Sequence, residues 1–122
     1  MEEGLWAVFQ DPRNAVQTAL DFPAVLAADA DTRDLPLRVA IHRGPAIVAT
    51  INGQLDYFGK AVKAVRELLA QARSTEWVTT AGIAGDPSVA ELVNQRMLIG
   101  EISQLDLPHE PRAIVHRFAL EV

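Results

Sequence analysis

The chain has 122 residues, 49% apolar and 22% charged, with a net charge of −5, which is the size and composition of one globular domain with a sizeable core. It has no cysteine, so a disulfide scaffold, a zinc–thiolate site and a thiol nucleophile are excluded, and a cytosolic location is expected. The eleven Lys and Arg form no run that would neutralise phosphates, no apolar stretch approaches the roughly 20 residues that span a bilayer, and Met1-Glu2-Glu3 is the opposite of a basic signal n-region. Neither nucleic acid nor membrane is expected as a partner.

Along the chain, Leu5-Trp6-Ala7-Val8-Phe9 reads as a buried strand closed by Gln10-Asp11-Pro12. Asp11 as N-cap and Pro12 at the first helical position open a helix with Val16 and Leu20 one turn apart, which Pro23 should kink or interrupt before Ala24 to Ala28 continue it. Asp29 to Asp34 is a solvated loop. Leu37, Val39 and Ile41 alternate with Arg38, Ala40 and His42 as a strand, and Gly44-Pro45 turns into the apolar run Ile47 to Ile51, which predicts a hairpin. Asn52-Gly53 is a strong turn signal, and Leu55 to Phe58 extends the same sheet until Gly59. Val62, Val65, Leu69 and Ala72 set an amphipathic helix over about 60–73, followed by a strand at Trp77 to Thr80, a short helix from Pro87 to Asn94 and two further strands. In the last strand Ile114, His116, Phe118 and Leu120 share one face. Without internal repeat or linker this is one domain, 1–122, and its hairpins favour α+β over a doubly wound sheet.

The run Leu37-Arg38-Val39-Ala40-Ile41-His42-Arg43-Gly44-Pro45, with Asp56-Tyr57-Phe58-Gly59-Lys60-Ala61-Val62 after a short apolar strand, resembles the centre of class III adenylate and guanylate cyclase domains. The family has a Gly-Ile-His-x-Gly-Pro-like strand and turn, then a strand end with Gly that leads into a Thr-Val-Asn-x-Ala-x-Arg helix. Glu3 to Phe9 is similar to the family's Gly-Asp-Gly-x-x-Ala-Val-Phe strand, and Asp11 to Leu20 to the helix after it. The match spans about the C-terminal two-thirds of a family domain. The resemblance implies a ferredoxin-like, cyclase-type fold lacking its first strand and helices, with antiparallel or mixed strands and helices packed on them.

In the family two aspartates hold two metal ions for in-line displacement, and an Asn and an Arg on the helix stabilise phosphoryl charge across a dimer. Carried over, the first aspartate would precede Met1, the second falls on Glu3, the asparagine on Lys63 and the arginine on Glu67; Arg66 lies one residue off, about 100° around the helix. A carboxylate about 4 Å from the developing charge costs roughly 4 kcal/mol at an effective dielectric near 20. The resemblance therefore implies a domain without catalysis of its own, no cofactor, and Mg²⁺ or Mn²⁺ only if a partner completes a composite site. Asp56 matches an acid that contacts the purine in some cyclases, although the lysine the family places on the preceding hairpin strand is missing; it also suits a strand end.

The plainer readings stand beside these. Glu2 and Glu3 suit solvated terminal acids, and Lys63 and Glu67 suit an exposed helix pair. His42 is a structural residue of its motif, His109 and His116 have no metal-site spacing, and Gly82 to Gly85 is no phosphate loop. Three functions follow: a non-catalytic module that docks a copy of itself or a signalling partner, part of a composite cyclase, and a fragment of a longer one. For the first, Leu5, Trp6 and Phe9 on an open sheet edge are the candidate interface.

Overall fold

The computed structural model describes residues 7–34, 37–44, 47–51, 54–107 and 110–120, and for 47–51 and 54–58 the backbone alone. The elements run α1 (Pro12–Ala27), β1 (Arg38–Ile41), β2 (Ile47–Ile51), β3 (Gln54–Phe58), α2 (Lys60–Gln71), β4 (Glu76–Thr80), α3 (Ala81–Ala84), α4 (Pro87–Gln95), β5 (Glu101–Leu107) and β6 (Glu110–Ala119). Four strands form a mixed sheet in the order β1-β4-β6-β5, and β2 and β3 form a separate two-stranded ribbon. The protein is α+β, as its sequence leads one to expect.

Two buried clusters place the helices on opposite faces of the sheet. Trp77 of β4 and Phe118 of β6 pair across strands with ring centroids 4.4 Å apart, and with Val16, Leu20, Ile83, Val89 and Leu92 they bury the apolar faces of α1, α3 and α4. Val78, Ala113 and Val115, which alternate with them, pack instead against Ala64, Leu68 and Ala72 on the α2 side. Strand side chains point to opposite faces with period two, so β4, covered on both, is buried at all five positions. Each fully buried aliphatic side chain there contributes about 1.5–3 kcal/mol. The buried positions of α2 itself are Ala64 and Leu68, while Val62, Val65 and Leu69 flank them half-buried.

Several expectations need correction. Ala7, Val8 and Phe9 form no strand, since none of the described strands offers them the ladder a strand requires; Leu5 and Trp6 lie outside the described residues. Helix α1 begins as expected, with Asp11 Oδ1 accepting from the Arg13 amide at 2.9 Å, but it runs on through Pro23 without interruption. Pro23 is buried with Val16, Ala19 and Leu20, and packing its ring in the core offsets the backbone bond it cannot donate. The hairpin expected between β1 and β2 does not form. β1 pairs parallel to β4, with Val39 opposite Trp77, and β2 pairs antiparallel to β3, so β3 extends the ribbon and not the sheet. The Asn52-Gly53 turn and His109 lie outside the described residues. No helix among the described residues is long and apolar enough to cross a membrane.

Candidate functional site

The segment His42-Arg43-Gly44 leaves β1 where α2 begins. A Cβ on Gly44 would stand 3.2 Å from the Ala61 Cβ, so the strand exit and the first turn of α2 nearly touch. Gly59, the N-cap of α2, sits at φ 120°, ψ −176°, a region essentially closed to residues with a side chain. His42 is half-buried beside this seam, its Nδ1 2.9 Å from the hydroxyl oxygen of Thr80 on β4. Burial holds the His42 pKa below its ordinary value, and the negative charge of Glu110 opposes that shift in part. Loss of solvation disfavours the imidazolium, so a neutral ring bonded to Thr80 suits the site. His42, Gly44 and Gly59 therefore join β1, β4 and the start of α2, and each has a structural task.

The charged positions of α2 behave differently. Lys63 and Glu67 are both exposed, one turn apart. Among the described residues they form no ion pair, contrary to the helix pair expected of them. Lysine N-terminal to glutamate is the weaker orientation, and its small gain does not repay holding two solvated side chains still. Asp56 stands on β3 opposite Ala49, three residues before the glycine that opens α2. Glu2 and Glu3 lie outside the described residues. Thus Asp56, Lys63 and Glu67 fall on consecutive elements, while of the candidate interface only Phe9 is among the described residues, exposed and in irregular chain. His116 pairs across the sheet with Thr79 and Ile102, on the face away from His42. Among the described residues no group of three His, Asp or Glu side chains is placed to hold a metal.

A polar cluster not anticipated from sequence closes the far end of the sheet. Arg117 on β6 donates from Nη1 to Glu76 Oε1 at 2.9 Å and to the Gln71 carbonyl at 2.9 Å, and from Nε to Ser103 Oγ at 3.3 Å. The Arg73 amide donates to the same carboxylate at 3.0 Å. The two charged side chains are only 14% and 12% exposed, while the Arg73 guanidinium stands 3.5 Å from Glu101 at the rim. They line a cleft of about 280 Å³ with Ser74 and Thr75. The principal charges are matched inside the cluster, which makes it a clamp between the end of α2 and strands β4, β5 and β6. The signal in the sequence is a charged residue inside each of two apolar strands, Glu76 beside Trp77-Val78 and Arg117 beside Phe118.

No protein-family model matches this chain, and a search among curated proteins finds no match to it.

Proposed function

We propose that this chain is a non-catalytic nucleotide-cyclase homology module that works through protein contacts in cytosolic signalling. The observation that carries the proposal is the chemistry of α2. At the positions where the resemblance expects a neutral Asn and a cationic Arg, α2 presents exposed Lys63 and Glu67, and a carboxylate in the arginine's place opposes phosphoryl charge instead of stabilising it. The neighbouring His42, Gly44 and Gly59 are engaged in the seam between β1, β4 and α2, which supports a retained scaffold under a changed surface. The partner of such a module is a second copy or a cyclase-like signalling protein.

Incubation of the purified chain with ATP or GTP in Mg²⁺ or Mn²⁺ is expected to yield no cyclic nucleotide; product lost on substitution of Glu3 overturns the proposal. Asp56, which lies on the strand before α2 and matches the family's purine-contacting acid by resemblance, favours a second reading, a composite cyclase site that a partner completes with metal ligands. Calorimetric titration separates the two. The module reading expects no binding of ATP or GTP near a micromolar, whereas such binding, weakened about tenfold by Asp56→Ala, favours the composite site.

A further inference from the structure

We infer that the outer edge of β5 is a self-association surface, on which a second copy of this chain adds its own β5 antiparallel and makes one continuous eight-stranded sheet. The inference rests on the reading of the chain as a contact module and names the surface it uses.

β5 is the last strand in the order β1-β4-β6-β5, so among the described residues its outer N–H and C=O groups have no ladder. Its first five residues, Glu101 to Leu105, pair regularly with β6, and the irregularity lies between Leu105 and Leu107. Edges in monomers are commonly blunted by lysine, proline or a bulge. Glu101 to Leu107 contains neither lysine nor proline, and the bulge spares the first five residues. Six large hydrophobic side chains stand exposed among the described residues, and three of them lie in this strand or just before it: Met97 at 84%, Ile99 at 92% and Ile102 at 67% exposure. Solvent-facing apolar groups beside an open ladder are the features that invite strand addition.

The charges on this edge favour a second copy over a basic peptide. Its two acids already have partners within the chain: Glu101 lies 3.5 Å from the Arg73 guanidinium, and Asp106 accepts from the Arg112 amide at 2.9 Å. Between them the stretch Ile102 to Leu105 carries no charge, which suits a strand of the same composition. The register is also selective. A two-fold axis between Ser103 and Gln104 sets Glu101 against Asp106 of the other copy, and like charges directly opposite are unfavourable. An axis through Ile102 sets Ile102 against itself, Glu101 against Ser103 and Ile99 against Leu105, so each acid avoids the other and apolar residues meet. This contact is isologous and closes as a dimer.

The chain has no cysteine, so a single introduced thiol reports the register. Directly opposed residues of an antiparallel pair have Cα atoms about 4.5–5.5 Å apart, within reach of a disulfide. Under mild oxidation Ile102→Cys is expected to yield a covalent dimer, and Gln104→Cys, whose mate is Gly100 of the other copy, markedly less. Sedimentation of the unmodified chain up to about 100 µM is expected to move its mass from 13.3 kDa toward twice that value, with Ile102→Lys weakening association about tenfold or more. A strict monomer over that range, or equal cross-linking at the two positions, overturns the inference. A dimer indifferent to Ile102→Lys but weakened by Trp6→Glu places the interface elsewhere and leaves the module reading intact. Cyclic nucleotide made by the unmodified chain sinks that reading and not this edge.

Discussion

Gly59 connects β3 to α2 through a backbone conformation, φ 120° and ψ −176°, that an L side chain tolerates only with strain. Gly59→Ala is therefore expected to cost about 1–3 kcal/mol, read as a lower urea midpoint with an unchanged slope; an unaltered midpoint means that α2 can start without this conformation. His42 gives a pH dependence of defined sign. Burial lowers its pKa below the ordinary 6.5, so as pH falls past that value the unfolded chain takes up a proton that the folded chain resists. Stability is then present above about 6.5 and lost as pH falls toward the folded-state pKa. As pH falls from 7 through about 6.5 the urea midpoint is expected to drop, and His42→Asn to flatten that part of the profile. A midpoint that rises on acidification in this window contradicts the assignment. The motif residues are thus visible in the sequence as a pattern, while their physical tasks emerge only once β1, β4 and α2 are placed together.

At the scale of elements, the clamp between β4 and β6 is the most exacting contact. Removing Arg117 leaves the Glu76 carboxylate, 12% exposed, with the Arg73 amide at 3.0 Å and the exposed Arg73 guanidinium 3.9 Å away as its remaining partners. Breaking a buried pair from one side costs about 3–5 kcal/mol, whereas replacing both members by apolar residues is often close to neutral. Arg117→Met is expected to lie in that range by denaturant unfolding, and Glu76→Leu combined with Arg117→Met to recover most of the loss; equal losses in single and double variants rule out the clamp. This contact was hidden in the sequence because its members are 41 residues apart, and no local pattern couples them. Local signals served better. Asp11-Pro12 marks the start of α1 because capping is a property of three adjacent residues, and Asp86-Pro87 repeats it at α4, where Asp86 accepts from the Ser88 amide at 3.0 Å. Pro23 misled because its local penalty was outweighed by the core packing of its ring. The strand partner of β1 escapes local pattern for the same reason as the clamp, since parallel pairing with β4 is settled by distant contacts.

For the molecule as a whole, the α+β class and most element positions were legible from periodicity, and Lys63 and Glu67 on the exposed side of α2 were legible from spacing; the separation of β2–β3 from the main sheet was not. That separation sets an order of local stability. β4 and β6 are central strands with neighbours on both sides, and clusters from both helical layers bury Trp77, Val78, Val115 and Phe118. Opening them requires disrupting both clusters. β2 and β3 have ladder bonds only to each other among the described residues, and an isolated two-stranded ribbon is marginal in water. The buried positions of α2, Ala64 and Leu68, belong to the cluster on the sheet, so the ribbon can open while α2 keeps them there. Amide protons that bond across β2 and β3 are therefore expected to exchange about tenfold or more faster, after correction for intrinsic rates, than those of β4 and β6, whose opening approaches global unfolding. Hydrogen exchange followed residue by residue under native conditions measures this directly. Equal protection in the ribbon and the central strands shows one cooperative unit and removes the hierarchy.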